Sequence, residues 1–321
     1  MKAVVFGGSG FLGSHVAEAL LSADHEVTVY DLRPSSHLKE GVRFVQGDIL
    51  DPNAVESVLQ GQEVAYNFAG IANIDEAQEQ PAETARINVL GNTILLEGAR
   101  RMRLSRYIFA STIYVSGQSG GFYRASKQAC ELYVEEYHRR FGLDYTILRY
   151  GTIYGRRANQ HNSVYRYLRQ ALEERRIIAE GTGEELREYV HVTDVARCSV
   201  QILGPEFRNE QVILTGHHPM RFQDLLEMIR EIVGSDVRIH FHPVDPAQRK
   251  EGRSTHYAIT PYSFHPKIAK KLVSHYYVDM GQGLMDCLEE IHLEIGQSVP
   301  EATGETAPLP STPIMESTRP S

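Results

Sequence analysis

Tyr123 and Lys127, in the stretch GFYRASKQACE, stand four residues apart. On a helix they share one face, and a phenol beside an ammonium is a device for moving a hydroxyl proton. A free tyrosine, with a pKa near 10, is a poor base at neutral pH, but neighbouring positive charge favours the phenolate. The spacing alone is equally that of two ordinary residues on a solvated helix face, so the rest of the chain must decide.

A second group stands at the N-terminus, where Gly7, Gly10 and Gly13 in VVFGGSGFLGSHVAEAL follow a strand-like run and open a helical pattern. Glycines so spaced let backbone N–H groups approach a pyrophosphate at the positive end of a helix, and let that helix lie close on its strand. A plain tight turn uses the same residues. Asp31, at the end of EVTVYD, lies about 20 residues on, where a carboxylate accepts hydrogen bonds from ribose hydroxyls and repels a 2′-phosphate. This favours NAD over NADP, with Arg33 nearby as the residue able to accommodate the extra phosphate. Asp48, in QGDI, is placed either to meet an adenine or to sit in the cap region of the next helix.

The elements that must position these groups are legible as an alternation. KAVVF, EVTVY, VRFVQ, VAYNF, RYIFA and DYTILR read as strands, with amphipathic stretches between most of them. A βαβ series implies a parallel sheet with helices on both faces, an α/β Rossmann-type doubly wound fold. We expect a dinucleotide-binding domain over residues 1–155 and a smaller substrate-binding lobe over 156–296, interleaved with the first. That lobe would hold a helix around Tyr165 to Glu174, a strand near Gln211 to Leu214 and a helix near Phe222 to Val233. Residues 297–321, rich in Pro, Ser, Thr and Glu, read as a flexible tail.

Composition narrows the partners. The chain has 321 residues, 42% of them hydrophobic, and a formal net charge of −8. There is no basic footprint for nucleic acid, and anionic small molecules remain in play. Three scattered cysteines, Cys130, Cys198 and Cys287, argue against a disulfide framework and show no metal-ligand spacing. The apolar run in MKAVVFGGSG is too short for a signal peptide, and no later run reaches the length of a membrane span, so a cytoplasmic protein is expected.

With these residues in view, the chain resembles the extended short-chain dehydrogenase/reductase family, in particular its nucleotide-sugar epimerases and dehydratases. The likeness runs from residue 1 to about 200. The family's glycine turn matches GGSGFLG, its HLAA segment NFAG, and its central-helix asparagine Asn88 in INVLGNTILLEGAR. Its FSSS-type strand end matches FAST, its tyrosine and lysine motif YRASK, its LRYFNVYGPR segment LRYGTIYGRR, and its RDFVHVDD segment REYVHVTD. The resemblance implies Thr112 as the hydroxyl that holds the reacting sugar, Tyr123 as the acid/base, and Lys127 as the group that tunes it and bonds the nicotinamide ribose. Thr112 also suits a plain strand-end cap. Around NAD the resemblance implies Gly7, Gly10, Phe11, Leu12, Gly13, Asp31, Arg33, Asp48, Ile49, Phe68, Ala69, Gly70, Tyr123, Lys127 and Tyr150. For the substrate it implies Ile71, Thr112, Thr152 and Arg187, with Arg249 or Lys250 toward a phosphate. Arg187 falls where family members bind the nucleotide diphosphate; its alternative is a solvated surface arginine. His191 and Asp194 match structural positions. Dimerisation through the helices bearing Asn88 and Lys127 is implied, with Leu132, Tyr133 and Tyr137 as an apolar face that core packing also explains in part.

Departures from the family pattern shape the functional expectation. Only QSGGF separates Gly117 from Tyr123, so the usual lid over the sugar is nearly absent and cover must come from elsewhere or the pocket is more open. Thr152 replaces an asparagine, and RKEG lacks the late element's aspartate. Thr112 is followed by Ile113 and Tyr114 rather than by the Asp-Glu pair of the 4,6-dehydratases. Epimerisation, by transient oxidation to a keto sugar and return of hydride, needs no such pair, so the expected activity is a UDP-sugar 4-epimerase with a nucleotide-diphosphate sugar as substrate. The alternatives are a nucleotide-linked keto-sugar reductase, suggested by STIYVSG, a dehydratase, and a dinucleotide-sensing regulator without enzymatic activity.

Overall fold

The computed structural model describes residues 1–242, 258–262 and 269–298, the side chains of 297 and 298 excepted. Arg249, Lys250 and residues 299–321 of the expected tail lie outside the described residues, while residues 297 and 298, expected in that tail, are helical instead.

The chain runs β1 (Lys2–Phe6), α1 (Phe11–Ser22), β2 (Glu26–Asp31), β3 (Arg43–Gln46), α2 (Pro52–Leu59), β4 (Val64–Asn67), α3 (Ile74–Glu79) and α4 (Pro81–Thr84). A π-helical segment, Ala85–Gly91, leads into α5 (Asn92–Arg101), followed by β5 (Arg106–Thr112), a 3-10 turn (Ile113–Ser116), α6 (Gly121–Phe141) and β6 (Tyr145–Tyr150). Every residue of β5 and of β6 is buried, as in a parallel sheet covered on both faces. Local signals set the helix ends. Asp51 caps α2 by accepting from the Asn53 and Ala54 N–H groups, with Pro52 at the first position, and Gly142 ends α6 at a φ of +71°.

Beyond β6 come β7 (Thr152–Tyr154), α7 (Ser163–Glu174), β8 (Arg176–Glu180), β9 (Leu186–Arg187), β10 (Tyr189–His191), α8 (Val192–Gln201) and β11 (Glu210–Leu214). β12 (Met220–Arg221), α9 (Phe222–Val233), β13 (Arg238–His242), β14 (Lys270–Lys271) and α10 (Met280–Ser298) complete the described elements.

Eight strands form one sheet in the order β14-β11-β6-β5-β4-β1-β2-β3, every pairing parallel. This is the doubly wound architecture expected from the alternation, with one correction. The strand at Glu210–Leu214, expected in the smaller lobe, pairs with β6 in the main sheet. Its buried end, Val212 to Leu214, is an apolar run that the sheet edge can cover, and α8 packs beside α1 on the same face. Strand order reverses between β1 and β4, which opens a crevice beyond their carboxyl ends.

Three apolar clusters hold the layers. Val16, Leu20 and Val195 belong to the cluster under α1 and α8; Val55, Leu95, Leu96 and Val134 belong to the one under α2, α5 and α6. Leu168, Ile177, Leu225 and Leu284 join α7, β8, α9 and α10 in a separate core. Arg157 ties that core to the sheet domain: its guanidinium pairs with Glu18 of α1 and its backbone N–H donates to Glu290 of α10 at 2.7 Å.

Candidate active site

The crevice begins at the glycine turn. Gly7 adopts a φ of +74°, and a Cβ there would lie 2.6 Å from the Ala69 nitrogen, so the turn lies directly on the loop that follows β4. A Cβ on Gly13 would stand 2.2 Å from the Gly7 carbonyl oxygen, which closes the turn onto α1. Gly10 meets nothing nearer than 3.3 Å; it precedes Phe11 and Leu12 at the start of α1, a helix whose first turn has neither a side-chain cap nor an acidic residue. Uncapped N–H groups at a helix start suit an anion. Asp31 ends β2 with its carboxylate accepting from the Ser9 N–H at 2.9 Å and the Leu32 N–H at 2.7 Å, so it is fixed at the rim of the turn. The residues present fit a dinucleotide here. Arg33 is exposed beside it. Asp48 is exposed and accepts from the Leu50 N–H at 2.9 Å, while the cap of α2 is Asp51. Ile49 is buried, with its side chain against Gly91.

The loop after β4 carries Phe68, Ala69, Gly70 and Ile71 into the crevice. Gly70 has a φ of +147°, and a Cβ there would be 2.6 Å from Asn88 Oδ1. Asn88, buried within the π-helical segment, grips this loop: its Oδ1 accepts from the Ile71 N–H at 2.7 Å, and its Nδ2 donates to the Ile71 carbonyl and to Ser126 Oγ, each at 3.0 Å. A π segment widens a helix by one residue and is characteristic of functional sites. Here it delivers one side chain to both the β4 loop and α6.

Thr112, Tyr123 and Lys127 converge where β5 ends and α6 begins. Thr112 is 5% exposed; its hydroxyl accepts from the Tyr114 N–H at 3.4 Å, as a strand-end cap would, and lies near enough to the Tyr123 phenol to pull its pKa down. Lys127 Nζ donates to the Ala110 carbonyl at 2.8 Å and lies 5.9 Å from the Tyr123 ring centre. Burial pushes the phenol up to about 12, against the pull of Thr112. The expected tuning joins Lys127 with the positive nicotinamide ring and so concerns a loaded site. Burial also lowers the Lys127 ammonium, with Cys130 and Glu131 acting the other way, and its nearest partner is a carbonyl rather than the phenol. Lys127 is thus fixed to β5 and makes no hydrogen bond to the Tyr123 phenol.

On the substrate side, Thr152 starts β7, which pairs with β10, and Arg187 ends β9. Arg187 is half-buried and its Nη1 donates to the Leu186 carbonyl at 2.8 Å and the Ala258 carbonyl at 3.3 Å, so it is held rather than free on the surface. The segment Ala258–Tyr262 packs against β9 and against Gly117, beside the short QSGGF stretch. Ala258 accepts from the Leu186 N–H at 2.7 Å, and a Cβ on Gly117 would meet the Pro261 carbonyl oxygen at 2.0 Å. Gly121 in turn lies under the Gln78 amide. Tyr150 sits in the core with its hydroxyl 2.9 Å from Ser199 Oγ, so that group is turned away from the crevice. His191 caps α8 through Nδ1, and Asp194 binds Arg197 and the Val278 N–H, the structural parts expected of them.

Sequence reasoning missed Glu131 and Arg149, a buried ion pair bonded to Ser111, the residue before Thr112, and Asn92, which accepts from Asn67 and Tyr107 behind the β4 loop. The signal for Glu131 was its place four residues beyond Lys127, on the same helix face. Among the described residues no group of three or more His, Cys, Asp or Glu could hold a metal ion, and no helix is long and apolar enough to cross a membrane.

Comparison with known proteins follows the same outline. A putative UDP-glucose 4-epimerase of Methanocaldococcus jannaschii is 27% identical over 252 residues, 72% of this chain and 82% of that protein. A dTDP-glucose 4,6-dehydratase of Streptomyces niveus is 27% identical over 304 residues, 84% of this chain and 89% of that one. The crystal structure of UDP-glucose 4-epimerase from Thermotoga maritima with UDP-glucose superposes with a TM-score of 0.77 at 25% identity, covering 92% of this chain and all of that one. The model of the NAD dependent epimerase/dehydratase family matches residues 3–213, and the chain belongs to that family.

Proposed function

We propose that this protein is an NAD-dependent UDP-sugar 4-epimerase. The observation that carries the reading is the meeting of Thr112, Tyr123 and Lys127 at the end of β5, with Ile113 and Tyr114 following Thr112 where a dehydratase needs an acid and a base. The named relatives include both kinds of enzyme, and the neutral side chains at 113 and 114 favour the epimerase reading.

The uncapped start of α1 would hold the pyrophosphate of NAD and Asp31 the adenosine ribose, with Phe68, Ala69 and Gly70 lining the crevice between. When bound, NAD supplies a hydride acceptor and donor for the sugar carbon. The chain's own groups do the rest. Thr112 holds the C4 hydroxyl, Tyr123 takes its proton and later returns one, and Lys127 keeps the phenol in place. A phenol raised by burial needs positive charge nearby to act at neutral pH, so proton transfer depends on a loaded site. Arg187 would anchor the diphosphate through a guanidinium already oriented by two carbonyls, and the segment Ala258–Tyr262 would exclude water from above.

The protein would act as a homodimer. Leu132 and Tyr133 of α6 are 54% and 46% exposed, with Leu90 of the adjoining π segment 51% exposed, whereas Tyr137 turns inward toward Glu97.

The test is to incubate the purified protein with UDP-glucose and then with UDP-glucuronic acid and follow the sugar by proton NMR. Appearance of the matching C4 epimer supports the reading. Formation of a 4-keto-6-deoxy sugar, or turnover only with added NADH and a keto sugar, would replace it with a dehydratase or a reductase.

A further inference from the structure

Beneath the proposed catalytic groups lies a polar network that the reaction scheme above does not use. Glu131 is 2% exposed and so is Arg149. Glu131 Oε1 accepts from Ser111 Oγ at 2.6 Å and from Arg149 Nε at 2.9 Å, and its Oε2 accepts from Arg149 Nη2 at 2.7 Å. Arg149 Nη2 also donates to Gln211 Oε1 at 2.5 Å, and Gln211 Nε2 donates to Glu135 Oε1 at 2.7 Å. The chain of bonds thus runs from β5 through α6 and β6 to β11 and back to α6.

A buried ion pair is a poor device for stability, because the cost of desolvating two charges often matches or exceeds their attraction; well-packed apolar residues of similar volume do as well or better. Position suggests another use. Ser111 and Arg149 face each other across β5 and β6, and the next pair in register is Thr112 with Tyr150. Glu131 follows Lys127 by one helical turn on the same face. α6 therefore grips the end of β5 at two successive residues: Lys127 holds the Ala110 carbonyl and Glu131 holds the Ser111 hydroxyl. Thr112 comes next.

We propose that Glu131 and Arg149 form a positioning pair for the reaction, fixing the β5 end so that Thr112 stays in reach of Tyr123 and setting a compensated carboxylate beside Lys127. The proposal rests on the epimerase reading for its kinetic consequence and not for its electrostatic one. The groups facing Lys127 are Tyr123, Cys130 and Glu131 on its own helix, the Phe109 ring and Ala110 carbonyl on β5, and Arg149 on β6 through Glu131. Among these, Glu131 is the carboxylate, and Arg149 is the cation that balances it.

The test compares the parent with Glu131→Gln/Arg149→Met, which removes both charges together, and with Ser111→Ala, which removes one hydrogen bond. Lys127 is titrated by NMR of carbon-13 at its Cε, assigned with Lys127→Met, alongside melting temperature, kcat and KM for UDP-glucose. In the double variant the Lys127 midpoint should fall, because Glu131 one helical turn away favours its ammonium and Arg149, which reaches Lys127 only through Glu131, offsets that pull in part. Its kcat should fall about tenfold or more with KM within about twofold, the pattern of a misplaced reacting group. Ser111→Ala should melt with the parent and lose kcat several-fold. A double variant that melts like the parent and keeps both its Lys127 midpoint and its kcat would overturn the proposal and leave a packing pair. If the double variant fails to fold, Ser111→Ala decides: unchanged kcat overturns the proposal. If the parent turns over neither UDP-glucose nor UDP-glucuronic acid, the functional reading has failed, and the Lys127 midpoint alone then supports or overturns the pair.

Discussion

At the β1 end of the crevice the proposed binding surface is backbone, made by glycines whose missing side chains let the turn, the Phe68–Ala69 loop and α1 approach one another. At the Arg187 end the surface is a side chain, oriented by a carbonyl 71 residues further along the chain. The first arrangement is local: a strand, a turn and a helix within one βαβ unit suffice to build it. The second exists only after β9 has paired with β12 and the segment Ala258–Tyr262 has crossed from Arg187 to Gly117. A backbone site should fail abruptly when it is disturbed, because no rotamer can relieve a clash between main-chain atoms. A side-chain site should fail by degrees.

The largest effect should therefore come from Gly13→Ala. Its new Cβ would meet the Gly7 carbonyl, itself main chain, so NAD affinity should drop about 100-fold or more, or the protein should not fold. Calorimetric titration with NAD checks this, and near-normal affinity would mean that the turn yields and the contrast is false. Arg187→Met should be milder: KM for the UDP-sugar rises about 10- to 50-fold through loss of charge-assisted bonds to phosphate, with kcat changed less and the melting temperature held. A collapse of kcat with unchanged KM would move Arg187 from the diphosphate to the chemistry.

The contrast also governs what the sequence could tell. The glycine turn, Asp31, the parallel sheet and the Tyr123–Lys127 pair are read from spacing within single elements, and they stand where the pattern puts them. The strand at Glu210–Leu214 was assigned to the wrong layer because an apolar run carries no mark of the neighbour it will pair with. The Glu131–Arg149 pair was invisible for a similar reason: β5 and β6 must lie side by side before Ser111, Glu131 and Arg149 meet. The tuning expected for the Tyr123 phenol rests on Lys127 and a bound nicotinamide together, and spacing carries only the first of these. The cover over Gly117 comes from Pro261, which no motif announces.

Two smaller effects sharpen the comparison at the backbone end. If Asp31 meets the adenosine ribose as proposed, it would repel a 2′-phosphate with Arg33 nearby to offset it, so NAD should bind at least about tenfold more tightly than NADP. In Asp31→Asn that preference should shrink to within about threefold, since the repelling charge is gone and the hydrogen bonds remain. Equal affinity in the parent would show that Asp31 does not meet the ribose. His15, one turn into α1, is held neutral by burial, its pKa lowered to about 4. Below the ordinary value of 6.5 the unfolded chain binds a proton that the folded one does not, so stability falls as pH drops from about 6.5 toward 4. His15→Leu should lose less melting temperature than the parent over that window, and parallel curves would remove His15 from the account.

The central claim, that Tyr123 and Thr112 serve a reaction in which the sugar is oxidised and reduced again at one carbon within one site, is tested most directly with UDP-glucose carrying deuterium at C4. The account predicts that the UDP-galactose formed retains the deuterium at C4, that no NADH accumulates, and that Tyr123→Phe loses about 100-fold or more of the rate while still binding NAD. Loss of the label to solvent, or consumption of NADH in step with product, would contradict it.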